Sequence, residues 1–509
     1  MILDRTLRFI FASFLSTLSL VVLSQTAMAA GPRHTMSPFL RLGSQETLAE
    51  IPAGVAAPQY TLFTCQRGLS TGACYDPYQM RRAYQIDSLI AAGYDGTGQT
   101  IVIVDAFQNP ALATQMATFD AKYGLPAVSL TQYAPDGLTP FIVGDPNMTG
   151  WAEEISLDVE WAHAIAPGAK IALVLAKSNS DADIASALKY AVDNNLGSVI
   201  SMSFGENESC VDPDILAEYH DIFAAATQKN ITLFASSGDE GAAQTTCDGN
   251  SWVKAASSPA SDPLVTAVGG TELRAAGFPS SCTDSTTCPS PNPVPGTYQS
   301  EIAWNEGLPF GDFGNVFGVG TIATGGGFSV LFDEPPYQKG TGGLHGGKQR
   351  AVPDVAYNAA VLHGVLTRLD IPGVPPGYYR FGGTSAGSPQ WAAITAIANQ
   401  KAGGRLGFLN SAIYQIGRVN NAYADSFHDI TSGTNSAVEF DSLNHPVTVI
   451  GFDAGIGWDA TTGIGSPMSS SLVDNLINNV SPGDGTAAIA TTKPKPHPKP
   501  IVPGHMDPH

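Results

Sequence analysis

Apolar, β-branched runs recur through the middle of this chain, and stretches of helical period separate them. The runs are 100–104, 170–175, 198–202, 231–235 and 264–268; the helical periods cover 111–123, 153–165, 181–195 and 213–229. A strand that is apolar on both sides has no face to give to water. The alternation therefore predicts an α/β fold, with a mostly parallel central sheet and helices on both faces. In such sheets the reacting groups gather beyond the carboxyl ends of the strands. Chemistry is expected just after these runs.

The ends read differently. Arg5 and Arg8 precede an apolar run, 9–23, that closes on Ala27-Met28-Ala29. This is the pattern of a secretory signal peptide over residues 1–29, and the run is shorter than the roughly 20 residues of a spanning helix. Residues 30–74 carry no sustained period and read as a short extension, too short for a full folded prodomain. Residues 75–480 are expected to form a single domain, and residues 481–509 a Pro-, Lys- and His-rich disordered tail. The six cysteines lie in close neighbours along the chain, which favours Cys65–Cys74, Cys210–Cys247 and Cys282–Cys288. Six cysteines allow other pairings as well. Asp and Glu total 45 against 25 Lys and Arg, a net charge of −20, which repels phosphate backbones and argues against nucleic acid. With few cations, the chain also gathers little self-repulsion once acid neutralises its carboxylates.

Three segments hold reactive side chains. Gly382-Gly383-Thr384-Ser385-Ala386-Gly387-Ser388-Pro389 leads into a helical stretch and places Ser385 at a glycine-rich turn in the positive field of a helix start. The same residues also suit a plain helix cap. A serine nucleophile needs a base, and no histidine has a fitting context. Glu154 and Asp158 lie one turn apart on a helix, about 40° apart around its axis, with apolar neighbours. Two buried carboxyls that close share a proton, so they can serve as a base only in acid. His163 falls on the other side of that helix. Asp239, in Ser237-Gly238-Asp239-Glu240-Gly241, follows a strand directly. Protonated, it can donate to an oxyanion; alone, the segment also reads as a turn.

Taken in order over residues 75–480, these motifs resemble the sedolisin family of serine-carboxyl peptidases, relatives of subtilisin. Glu154 and Asp158 match the family's E-x-x-x-D, Asp239 its S/A-G-D-x-G and Ser385 its G-T-S-A-x-x-P. The resemblance implies a subtilisin-like fold with a seven-stranded parallel sheet. It makes Ser385 the nucleophile, Glu154 the base, Asp158 its carboxylate partner and Asp239 the oxyanion acid. It also implies one structural calcium ion in a loop formed by Asp429, Ile430, Gly455, Gly457 and Asp459, with side-chain oxygens from the aspartates and carbonyls from the rest. Asp105 and Phe204 depart from the residues that some relatives have beside the catalytic group.

The reading is a secreted serine-type endopeptidase acting on proteins or peptides in acid, as a monomer, with no nucleic-acid or membrane partner. Gly325-Gly326-Gly327 is expected to let a substrate backbone approach closely. Two rivals remain at this level. One is a silent or trans-activated binding protein on the same scaffold. The other is a glycoside hydrolase using Glu154 and Asp158, which would leave Ser385 without a role.

Overall fold

The computed structural model describes residues 35–50, 60–67, 74–284, 288, 294–307, 320–344 and 348–495. The signal-peptide segment and the end of the tail lie outside these residues. The frame is a sheet of eight strands: β1 Thr100–Ala106, β2 Ser129–Tyr133, β3 Lys170–Ala176, β4 Val199–Met202, β5 Thr232–Ser236, β6 Thr266–Ala275, β7 Tyr298–Ala303 and β8 Val355–Asn358. Their order is β7-β6-β5-β4-β1-β3-β2, with β8 paired to β6. All pairings are parallel except β6 with β7. Seven strands thus run parallel and an antiparallel edge strand is added. β6 is ten residues long because three neighbours share it: β5 at its start, β8 in its middle and β7 at its end.

Every side chain from Ile101 to Ala106 is buried, so both faces of β1 are covered, as its unbroken apolar sequence requires. The covering helices are α1 Leu112–Tyr123, α2 Pro146–Ile165, α3 Asp181–Asp193, α4 Pro213–Gln228 and α5 Gly387–Ala402. α2 packs on α5, and α3 on α4. α2 begins two turns before the expected Glu153. Asp145 accepts the Met148 N–H at 3.0 Å and Pro146 fills the first position, a start signal independent of the apolar period.

The extension is woven into the domain. Arg41–Gln45 pairs antiparallel with Gly377–Gly382, and Cys74–Tyr75 pairs parallel with Gly364–Leu369. The cysteines pair as Cys65–Cys74, Cys210–Cys247 and Cys282–Cys288. The tail corrects one expectation. Residues 484–491 form a helix that packs on α4 and buries Ala488, and the Lys495 N–H reaches the Leu331 carbonyl at 2.7 Å. Ala488 and Ile489 give this stretch an apolar side, so order extends past residue 481. Among the described residues no helix is long and apolar enough to cross a membrane.

The approach to β8 is fixed by a fully buried ion pair. Asp354 receives Arg350 through two contacts of 2.5 and 2.6 Å, and also accepts the Ala267 N–H of β6 and the Tyr414 hydroxyl, each at 2.8 Å. Removing one partner of such a pair leaves a desolvated charge. Asp354→Ala is expected to lose about 3–5 kcal/mol, read by urea unfolding. A loss below about 1 kcal/mol would show that the pair is not holding this edge.

Candidate active site

Four short segments converge at the carboxyl ends of the parallel strands, where the topology places a site. Asp105 lies near the end of β1, Ser203 just past β4, Asp239 just past β5, and Ser385 in the turn that opens α5. α2 adds Glu154 and Asp158 from the side, because it packs against both the Ser385 turn and α5. All six side chains are buried.

The Ser385 hydroxyl lies 3.0 Å from Glu154 Oε2 and 3.1 Å from the Ser203 carbonyl. The Ser203 hydroxyl donates to Asp158 Oδ1 at 2.8 Å. This leaves Glu154 Oε1 and Asp158 Oδ2 as buried oxygens with no other partner, and the two carboxyls interact through a side-chain hydrogen bond. Both oxygens of Asp105 are also buried without a partner, and Asp158 is its charged neighbour. Burial holds Glu154 well above the ordinary carboxyl range, with Asp158 and Asp105 adding repulsion. Asp105 is raised by burial and by Asp158, and Asp158 by burial. The arrangement is a row, Ser385–Glu154–Asp158–Asp105, that must hold protons where another site would hold a cation.

Asp239 is set by the turn before Ser385. Its Oδ1 accepts both the backbone N–H (2.7 Å) and the hydroxyl (2.9 Å) of Thr384. Any proton it carries therefore belongs on Oδ2, which is buried and accepts no hydrogen bond. Burial, opposed by Arg41, raises its pKa to about 7. Gly383, at φ +96°, makes this approach possible. A Cβ there would stand 2.6 Å from Asp239 Oδ2 and would collide with the Phe39 carbonyl oxygen.

That carbonyl belongs to a strand of the chain's own extension lying in the cleft. The Met36 N–H meets the Asn179 carbonyl at 2.9 Å, and Ser37 and Pro38 pair antiparallel with Gly205 and Phe204. The Phe39 N–H donates to the Ser203 carbonyl at 3.1 Å, and its carbonyl accepts the Ser385 N–H at 2.9 Å. Beyond it, Arg41 and Leu42 pair with Gly382 and Phe381. An extended peptide is thus held on both sides of Ser385, and the Ser385 N–H bond to the Phe39 carbonyl sets the Phe39–Leu40 peptide bond beside this residue; that oxygen and Asp239 Oδ2 would both crowd a Cβ on Gly383. The Phe39 ring is buried over Gly205, where a Cβ would come within 2.6 Å of it.

The structure also bears on the remaining expectations. Gly325 and Gly326 approach other backbone segments of the protein itself. A Cβ on Gly325 would strike Ser237 and Gly238, and one on Gly326 the Ala460 carbonyl, so these glycines pack the protein's own backbone. His163 is engaged elsewhere, at Pro126 (2.9 Å) and Asp120 (3.3 Å). Glu154 and Asp158 are sealed together on one helix turn and cannot flank a glycosidic bond. In the expected metal loop, Asp429 accepts the Gly457 N–H (3.0 Å) and Asp459 the Gly455 N–H (3.0 Å), so both carboxylates sit on one short loop. Among the described residues no hydrogen bond is donated to the carbonyls of Ile430, Gly455 or Gly457. A hard cation that takes carboxylates and peptide oxygens fits this donor set. Sequence reasoning missed Ser203, Glu240 and the role of residues 35–46. Glu240 was visible only as the variable position of the Asp239 motif, and the strand has no period to betray it.

The sequence pattern of the subtilase family matches residues 141–406. Kumamolisin of Bacillus sp. (strain MN-32) is 32% identical over 441 residues, covering 84% of this chain and 69% of kumamolisin. Sedolisin of Pseudomonas sp. (strain 101) is 30% identical over 298 residues, 57% of this chain and 42% of its own. Mouse tripeptidyl-peptidase 1 is 28% identical over 303 residues, 56% of this chain and 44% of its own. The chain thus spans less than half the length of these last two. Among solved structures, Pseudomonas sedolisin, a serine-carboxyl proteinase complexed with two molecules of pseudo-iodotyrostatin, superposes with a TM-score of 0.64 at 26% identity. It covers 81% of this chain and all of that one.

The raised carboxyls fix how stability depends on pH. Asp239, Glu153 and Glu306 rise to about 7 and Glu439 to about 8, each mainly through burial. These groups hold their protons more tightly folded than unfolded. Their contribution is whole below the ordinary carboxyl range near pH 4 and is lost as pH rises through 7 to 8. The Tm of the Ser385→Ala protein should therefore fall steadily between pH 4 and pH 8 in calorimetry. A Tm that holds level or climbs over that interval would mean the buried acids are not neutral.

Proposed function

The chain belongs to the sedolisin family within the subtilases and is a serine-type peptidase, and from that premise we propose that it is an acid-acting endopeptidase using Ser385, Glu154, Asp158 and Asp239. The observation that supports this best is a peptide carbonyl that accepts the Ser385 N–H at 2.9 Å on the Asp239 side of the turn, where the Ser385 hydroxyl lies 3.0 Å from Glu154.

In this reading Glu154, ionised, takes the Ser385 proton as the oxygen attacks the scissile carbonyl. Asp158 returns a hydrogen bond to Glu154 from the shared proton, and Asp105 keeps Asp158 from losing it to solvent. The new oxyanion is held by the Ser385 N–H and by the proton on Asp239 Oδ2. The C–N bond breaks as Glu154 passes its proton to the leaving amine. A water then repeats the sequence on the acyl-enzyme and frees Ser385. Acid is required twice over: Glu154 needs a protonated partner and Asp239 must donate. The buried aromatic ring of Phe39 favours large apolar residues just before the cut.

Export is supported by the pattern of residues 1–29 and by the three disulfides, which persist in oxidising surroundings. One structural calcium, held by Asp429 and Asp459 with the carbonyls of Ile430, Gly455 and Gly457, would pin the loop 455–459 to the strand pair at Phe427–His428 and Ser466–Pro467.

Activity on denatured protein should be largest in acid and decline as pH passes about 7, the point at which Asp239 gives up its proton. Ser385→Ala should lose about 10⁴-fold or more. Asp239→Ala should lose about 10²–10³-fold in kcat, whereas Asp239→Asn, a donor at every pH, should carry activity further into the alkaline range. Turnover that survives Ser385→Ala would sink the reading. For calcium, a chelator should lower the Tm, with about 2.7 kcal/mol restored at a hundred times the dissociation constant. Asp429→Asn should blunt that response, and a Tm indifferent to chelator would remove the ion from the account.

A further inference from the structure

The strand in the cleft continues past the bond at Ser385, and its second residue beyond that bond is Arg41. The guanidinium places Nη2 2.5 Å from Glu240 Oε1 and Nε 3.6 Å from Asp239 Oδ2. Arg41 is held there by its pairing with Gly382, three residues before the nucleophile. Glu240 is held as well: its Oε2 lies 3.3 Å from the Asp239 N–H, and its backbone bridges to Ala323. A third carboxyl, Glu439, borders the same place. Its Oε1 is buried without a partner, and Arg41 and Glu240 are its charged neighbours. Three carboxyls would repel one another around an empty pocket, and a cation relieves that repulsion.

We propose that Glu240 and Glu439 form an acidic subsite that reads the second residue after the scissile bond, selecting peptides with Arg or Lys there. This rests on the peptidase reading for its register, since the position is counted from Ser385. Arg suits the pocket better than Lys, because its planar fork can meet Glu240 through one nitrogen while another faces Asp239. Selectivity comes from a charge pair that is only partly screened, with about a quarter of the Arg41 side chain (27%) and of Glu240 (22%) exposed. An uncharged residue would leave Glu240 Oε1 without its cation, and an acidic one would add a fourth carboxyl.

Two measurements test it. In the full chain carrying Ser385→Ala, hydrogen exchange of the backbone at 39–45 reports how firmly the resident strand is gripped. Arg41→Ala, and separately Glu240→Gln, should each speed that exchange about tenfold. In the wild-type chain, dodecamer peptides copying residues 35–46 are compared with versions carrying Ala or Glu at the Arg41 position. Cleavage between Phe and Leu should show kcat/KM about tenfold higher for Arg than for Ala, with Glu lowest. In Glu240→Gln the Arg-to-Ala ratio should fall towards one. Unchanged exchange in both variants overturns the subsite whether or not the enzyme turns over, and so does equal cleavage of the Arg and Ala peptides. Faster exchange with no cleavage of any peptide supports the pocket and instead overturns the catalytic reading.

Discussion

A carboxyl group buried without a cation favours its protonated form, and three of the four acids at the centre of the site are of that kind. Asp105, Glu154, Asp158 and Asp239 are all buried, and only Asp239 has an arginine within salt-bridge distance. Hydroxyl and amide donors decide where the protons go. Ser203 occupies one oxygen of Asp158, Ser385 one oxygen of Glu154, and Thr384 takes Asp239 Oδ1 twice over. In each case the remaining oxygen is the one that faces the next group in the row or the substrate carbonyl. The packing of α2 on α5 is what makes this work, because it excludes the water that would otherwise let all four ionise.

The same rule operates away from the cleft. Glu301 is buried under the hydroxyls of Tyr84 and Thr271, each 2.6 Å from Oε1, and of Ser466. Glu160 accepts from Gln115 at 2.9 Å and from the Arg368 N–H at 2.8 Å, and Glu208 from Ser329 at 2.7 Å and the Val330 N–H at 2.6 Å. Neutral donors suit a carboxyl whether or not it is charged, and burial raises all three. A chain with 25 basic residues against 45 acidic ones has few cations to spend in its core. Burial that favours protonated carboxyls is therefore a property of the whole domain and not of these four acids alone.

The fold was legible because the central strands are apolar on both faces, and nothing but a doubly covered sheet hides them. Two strands escaped notice for different reasons: Ser129–Tyr133 is a half-exposed edge, and Val355–Asn358, although fully buried, is only four residues long and is anchored by the Arg350–Asp354 pair beside it. Glu154 and Asp158 were legible as a pair because helical spacing converts directly into distance. Ser385 and Asp239 were legible as motifs, but their meeting was not, since 145 residues separate Thr384 from Asp239 and only the sheet brings them together. Ser203 carries no motif at all; its part follows from a hydroxyl and a carbonyl aimed in different directions at the end of β4. Residues 35–46 left no pattern because a strand bound in a cleft answers to the cleft and not to a core of its own.

That strand exposes a conflict within the site. An oxyanion acid must stay protonated, yet the guanidinium 3.6 Å from Asp239 Oδ2 favours its ionised form. Glu240 moderates the conflict. Its carboxylate stands closer to Arg41 than Asp239 does, at 2.5 Å, and it repels an ionised Asp239 in its own right. The cation is thus countered before its field reaches the acid that has to donate. With a neutral residue in place of Glu240, the same arginine would act on Asp239 unopposed and would draw its pKa down. In the proposed reading, recognition of a basic residue beyond the cut and retention of the Asp239 proton both depend on Glu240, at the position the sequence motif leaves variable.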